Sequence, residues 1–186
     1  MLPKYKAENA AKRSLLLNIK TNVRAVVTDA VDGQQRLSLR MPHFKLAFTP
    51  SVGHEIQTEC FVPLEKGYLA IRAVETLRDR ITPHVAVTEL RTIAADDLWL
   101  SMAYQRPSLA IHFTWKPEEA AVHELLPQIE AKLAPFDPRP HWAKVFTVPK
   151  DQLQRAYVRS NDFSKLTQTY DPGGKFINEF LRRSIL

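Results

Sequence analysis

Two stretches of the chain alternate apolar and polar residues with a period of two, the pattern of half-buried strands. They are Val85–Ile93 (VAVTELRTI) and Ser108–Lys116 (SLAIHFTWK), joined by the loop AADDLWLSMAYQRP. Successive strand side chains point to opposite faces. In the second stretch Leu109, Ile111, Phe113 and Trp115 share a face and read as core, which leaves Ala110, His112, Thr114 and Lys116 on the other. Glu89 and Arg91 share a face of the first stretch in the same way. If the two strands are neighbours, Glu89, Arg91, His112 and Thr114 form one polar patch on a sheet. That patch is the candidate site.

The remaining pattern places this pair in a larger order. His54–Val62 (HEIQTECFV) alternates, with Ile56, Thr58, Cys60 and Val62 on one side and Glu55, Gln57, Glu59 and Phe61 on the other. Pro63 ends that strand and opens a helix over Leu64–Arg80, since proline suits the first helical position. A second helix runs from Pro117 to Ala134, with Val122, Leu125, Leu126, Ile129 and Leu133 as its apolar stripe. Acidic Glu118 and Glu119 suit the positive end of its dipole. Pro135, Pro138 and Pro140 lead into a short strand, His141–Thr147; a helix over Lys150–Arg159 and the tail YDPGGKFINEFLRRSIL follow. Asp171-Pro172-Gly173-Gly174 reads as a turn.

Strand, helix, strand, strand, helix, strand predicts an α+β fold of the ferredoxin-like kind: an antiparallel βαββαβ sheet with both helices on one face, plus a C-terminal helical tail. The opposite face is expected to stay open, carrying the polar patch with Glu55, Gln57 and Glu59. Phe61, Trp142 and the tail around Phe176 are expected to be exposed with it. Residues 1–35 read as a separate arm, with a helix over Ala7–Lys20, a β-branched run Val23–Val31 and an Asp32-Gly33 turn; no chemistry is legible there. Pro42–Ser51 reads as an extended connector, and 36–186 as the main domain.

Composition changes this picture little. The 186 residues carry 45% hydrophobic and 25% charged side chains, ordinary for a globular protein. A net charge of +6 favours anionic partners, but the basic residues are scattered, which reads as a solvated surface rather than a nucleic-acid face. The aromatics of SLAIHFTWK fall on the core side, which also counts against RNA. The single Cys60 excludes an intrachain disulfide and a thiolate metal cluster, and points to a reducing, cytoplasmic setting. No apolar run is long enough for a transmembrane segment. Zinc spacing, a nucleophile elbow and a Walker loop are missing, and the five glycines make no dinucleotide cradle. No metal site is expected.

Each motif alone has an ordinary explanation. Glu89-Leu90-Arg91 could be a solvated salt bridge, His112-Phe113-Thr114 a hydrogen-bonded strand pair, and Lys144 an exposed lysine. Together and in order, PHFKLAFTPSVGHEIQTECFVP, TELRTIAADDLWLSMAY, HFTW, RPHWAKVFT and YDPGGKFINEFL resemble another pattern. They are similar to the C-terminal substrate (cap) domain of the alditol (xylitol) and D-arabinono-1,4-lactone oxidases, in the vanillyl-alcohol-oxidase flavoprotein superfamily. The resemblance covers roughly residues 37–186. It implies FAD as cofactor, bound mainly by an N-terminal domain that is absent from this chain, and a cap over the flavin ring.

The resemblance further implies oxidation of a CH–OH group of an alditol or aldonolactone, with oxygen as acceptor and hydrogen peroxide as product. It assigns Arg91, Lys144 and His112 to catalysis, Glu89, Arg91, Thr114 and Lys144 to substrate, and His112, Lys144 and Asn178 to the cofactor. Cations at the reacting oxygen would stabilise developing negative charge; whether His112 is a base or a hydrogen-bonding wall stays open. The family pattern carries an aromatic where this chain has Cys60. A lone cap implies a truncated or split enzyme, inactive alone, with a separate FAD-binding chain as partner. The alternative is a non-catalytic binding module that kept the fold.

Overall fold

A computed structural model of the protein describes residues 55–186. The arm, the connector and His54 lie outside the described residues. The rest is an α+β structure on one four-stranded antiparallel sheet, formed by β1 (Ile56–Pro63), β2 (Val85–Ile93), β3 (Ser108–Trp115) and β4 (Arg139–Pro140) in the order β2-β3-β1-β4. The expected adjacency of the second and third strands is present, and β1 flanks β3 on its other side.

The connection from β1 to β2 is not the single helix that the pattern predicts. It is a 3-10 turn (Leu64–Lys66), then α1 (Gly67–Glu75) and a one-turn α2 (Arg78–Ile81). The break falls where Thr76 donates its hydroxyl to the Ala73 carbonyl at 2.7 Å and its own N–H bonds the same oxygen, closing the helix with a tighter turn. At the start of α1, a Cβ on Gly67 would lie 2.8 Å from Leu109 Cδ2 and 3.3 Å from Leu109 Cβ, so a larger residue there would have to displace the Leu109 side chain or move the helix off β3. The second connection is α3 (Glu119–Leu133), close to expectation.

The core lies between these helices and one sheet face. Val62, Ala70, Val74, Ile81, Ile111, Phe113, Trp115, Val122 and Leu133 are all buried there. Phe113 and Trp115 stack at 5.1 Å, and the Trp115 indole N–H is satisfied inside the core by Thr58 Oγ1 at 3.0 Å.

The fourth strand also differs from expectation. His141–Thr147 is not a strand; only Arg139–Pro140 pairs with β1. His141 N–H still bonds the Glu59 carbonyl and Val145 N–H the Gln57 carbonyl, each at 2.9–3.0 Å, but Lys144 N–H turns back onto the His141 carbonyl. The chain therefore touches the β1 edge at two points and loops outward between them. Beyond it lie α4 (Lys150–Ala156), shorter than expected, then α5 (Ser160–Tyr170) and α6 (Glu179–Ser184). The Asp171 turn forms: its carboxylate accepts from the backbone N–H groups of Lys175 and Phe176 at 2.8 Å, and Gly174 takes φ +65°.

The second sheet face is less open than the pattern implies. Phe61 is 6% exposed, with its ring 6.1 Å from His141, and Trp142 packs on Tyr157 at 4.3 Å while donating to the Leu100 carbonyl. Of the three aromatics expected on the surface, only Phe176 is there, 75% exposed.

Candidate functional site

Strand register builds the site row by row. Glu89, His112 and Glu59 stand opposite one another across β2, β3 and β1, and Arg91, Ala110 and Phe61 form the next row. On the other side, Gln57 pairs with Thr114. The four residues singled out from the strand pattern therefore do share one face. The irregularity between Val85 and Val87 makes this compatible with a buried Val85: the extra residue moves Val85 to the core side while Val87, Glu89 and Arg91 keep the polar side.

Arg91 is the hub. Its guanidinium donates to Glu89 and, through Nη1, to Glu59 Oε1 at 2.6 Å. Glu59 is buried at 8% exposure, and its second oxygen lies 3.5 Å from His112 Nδ1. Burial alone would raise the Glu59 carboxyl, but His112, Arg91 and His141 together hold it below the usual glutamate range. His112 is 4% exposed, and its Nε2 meets Thr114 Oγ1 at 3.1 Å. Its Nδ1 has no hydrogen-bond partner of ordinary length.

Lys144 comes from the turn that replaces the expected strand. Its ammonium donates to the Gln57 side-chain oxygen, which brings it to the Thr114 end of the patch. Among the described residues it pairs with no carboxylate, whereas Arg91 pairs with two. His141, in the same turn, accepts from Ala143 N–H through Nδ1 at 3.0 Å. Burial lowers its pKa, with only Glu59 opposing, so the ring is neutral at pH 7.

Glu89, Arg91, His112, Thr114 and Lys144 are thus brought together. Asn178 is not tied to them: it is exposed, and its side-chain oxygen caps α6 by accepting from Leu181 N–H at 2.9 Å. Only its amide NH2 remains for another partner. Pattern reading placed Gln57 and Glu59 on this face without naming them as site residues. Their signal was the alternation of HEIQTECFV, which needed the β1–β3 register to give it a meaning.

The arrangement offers a full positive charge on Lys144, a doubly clamped guanidinium, and hydroxyl, amide and carboxylate groups on one face of three neighbouring strands. Such a set suits a small ligand rich in hydroxyls. Elsewhere, a cavity of about 1000 Å³ lies under the core face, lined among others by Cys60, Ile129, Glu130 and Val148. It shares Glu59 with the patch as a wall residue. Among the described residues no helix is long and apolar enough to cross a membrane.

Residues 42–184 match the family model of D-arabinono-1,4-lactone oxidase. The chain is 43% identical to an alditol oxidase of Streptomyces sp. over 143 residues, which is 77% of this chain and 34% of that protein. It is 27% identical to the L-gulonolactone oxidase of Mus musculus over 66% of this chain and 29% of that protein. An L-gulono-1,4-lactone dehydrogenase of Mycobacterium tuberculosis is 28% identical over 68% of this chain and 30% of its own length. The chain therefore spans about a third of the length of these curated relatives.

Proposed function

Because this chain belongs to the D-arabinono-1,4-lactone oxidase family, we propose that it forms the substrate-facing part of an FAD-linked oxidase acting on a CH–OH group of an alditol or aldonolactone. The observation that carries this reading is the clustering of Glu89, Arg91, His112, Thr114 and Lys144 on one sheet face, with a cation that no carboxylate among the described residues neutralises. FAD, when bound, supplies the two-electron oxidant that oxygen restores, giving hydrogen peroxide. The described residues hold no glycine-rich phosphate cradle, their glycines being Gly67, Gly173 and Gly174. On this reading FAD is gripped mainly by protein outside them, a further domain or a separate chain.

The donor set fits that role. Lys144 keeps N–H donors beyond its bond to Gln57, and with His112 it is the part of this chain to set against the cofactor and the reacting oxygen. As the alcohol loses its proton, negative charge grows on that oxygen, and a fixed ammonium there is worth more in the transition state than in the bound ground state. Glu89 and Thr114 hydrogen-bond further hydroxyls. Arg91, held by two carboxylates, contributes geometry and N–H donors more than net charge.

The test is a chimaera in which residues 42–184 replace the matching third of the Streptomyces alditol oxidase. It should oxidise xylitol with release of hydrogen peroxide. A folded, flavin-loaded chimaera that turned over neither xylitol nor an aldonolactone would leave a non-catalytic binding module as the better reading.

A further inference from the structure

The buried carboxylate of Glu59 is absent from the roles assigned above, yet it touches two of the residues that carry them. Oε1 is taken by Arg91, and Oε2 faces His112 Nδ1 at 3.5 Å. Nδ1 is buried and has no other hydrogen-bond partner. A lone pair on Nδ1 would point at a carboxylate oxygen, which is repulsive, whereas a proton there is attracted even at this distance. A neutral imidazole carries one N–H, so Nε2 then holds a lone pair. At 3.1 Å that lone pair accepts the proton of the Thr114 hydroxyl. The half-buried Thr114 oxygen is left with lone pairs and no proton for an incoming group.

Resting on the oxidase reading, we propose that Glu59 is a positioning residue: through His112 it makes Thr114 a hydrogen-bond acceptor, so that this end of the patch selects a substrate hydroxyl over a carbonyl or ring oxygen. A hydroxyl can donate to Thr114; a lactone carbonyl cannot. Without Glu59, His112 reverts to the Nε2–H tautomer that unconstrained histidine favours. It then donates to Thr114 and turns that hydroxyl outward as a donor. Among the described residues, the other charged or titratable groups around His112 are Arg91, bonded to Glu59; Glu89, opposite it in register; His141, whose Nδ1 already accepts from Ala143; and Lys144, bonded to the Gln57 side chain opposite Thr114.

The experiment is long-range proton–nitrogen NMR of the 15N-labelled chain above about pH 8, where an ordinary imidazole is neutral. The His112 signals are identified by their loss in His112→Phe. The unaltered chain should show a protonated Nδ1 and an unprotonated Nε2. Glu59→Leu should invert that pattern, and Glu59→Asp should retain much of it. An Nε2–H tautomer in the unaltered chain would overturn the proposal without any variant, as would an unchanged pattern in a folded Glu59→Leu. None of these spectra depends on FAD or turnover, so an inactive chimaera with the Nδ1–H tautomer intact would fault the oxidase reading and not this one. In an active chimaera, Glu59→Leu and Thr114→Val should raise KM for xylitol non-additively. Full additivity would show Glu59 acting elsewhere.

Discussion

Arg91 Nη1 on β2 meets Glu59 Oε1 on β1 at 2.6 Å, although β3 lies between the two strands. Two strand spacings separate their backbones, roughly 10 Å, so both side chains must extend over β3 to meet. Ala110, fully buried, is the β3 residue in register with Arg91 and Phe61. A larger residue there obstructs that crossing. Ala110→Leu should cost about 1–3 kcal/mol by overpacking and should lower activity of the chimaera beyond what Ala110→Gly does. Urea denaturation and steady-state kinetics check the two halves.

The two cations of the patch should not behave alike. Lys144→Ala removes a charge that no carboxylate among the described residues offsets, and should lower kcat of the chimaera about a hundredfold, near 3 kcal/mol. Arg91→Ala should act more on stability and KM, because it strips the partner from the buried Glu59. Lys116→Ala is the control, since that ammonium is tied to the Pro83 carbonyl away from the patch. Equal kcat losses for Lys144→Ala and Arg91→Ala would contradict this division.

Two glutamates, Glu59 buried and Glu130 half-buried, should shape the pH dependence of stability in opposite directions. Burial raises the Glu59 carboxyl, but His112, Arg91 and His141 bring it net below the ordinary value of 4.5. Its stabilisation is therefore present above 4.5 and lost as pH falls through its folded value. Burial raises Glu130 above 4.5, with Thr147 opposing, so its contribution is full below 4.5 and lost as pH rises through its folded value. Denaturation across a pH series should show Glu59→Gln with a flatter acid limb. Glu130→Gln should gain on the native chain as pH rises above 4.5.

Cys60 should resist thiol reagents. Burial, then the Glu130 charge, push its thiol up to about 12, although the residue borders the large cavity and is not fully enclosed. At pH 8 only about one thiol in ten thousand is then ionised. A coloured disulfide reagent should label it slowly in the native chain and rapidly in denaturant; equal rates would place the thiol outside the structure.

Much of this was legible in the sequence because period-two alternation fixes which residues share a face. Glu89, Arg91, His112 and Thr114 needed only that rule and the adjacency of two strands. Glu59 was not legible as the centre of the patch, because its importance comes from register across three strands. The Lys144 turn was misread as a strand because VFT after HWAK has strand-forming residues, while its pairing is limited to two points on β1. The interruption after Glu75 escaped because a threonine hydroxyl competing for a carbonyl leaves no mark in an apolar stripe. Phe61 and Trp142 were misjudged for a further reason: alternation says which face a residue takes, not whether another segment lies over it.

The extra residue at Ala86 makes β2 a strand in two phases. Upstream of it the odd-numbered Val85 faces inward; downstream the odd-numbered Val87, Glu89 and Arg91 face outward. Were Ala86 drawn into regular pairing, β2 would have a single phase, with Val85, Val87, Glu89 and Arg91 all on one face. The strand would then have to choose between drowning Val85 in solvent and driving a carboxylate and a guanidinium into the oil of the core. A frameshift of one pleat, harmless in a strand with one wet face and one indifferent one, would here turn the binding surface inside out.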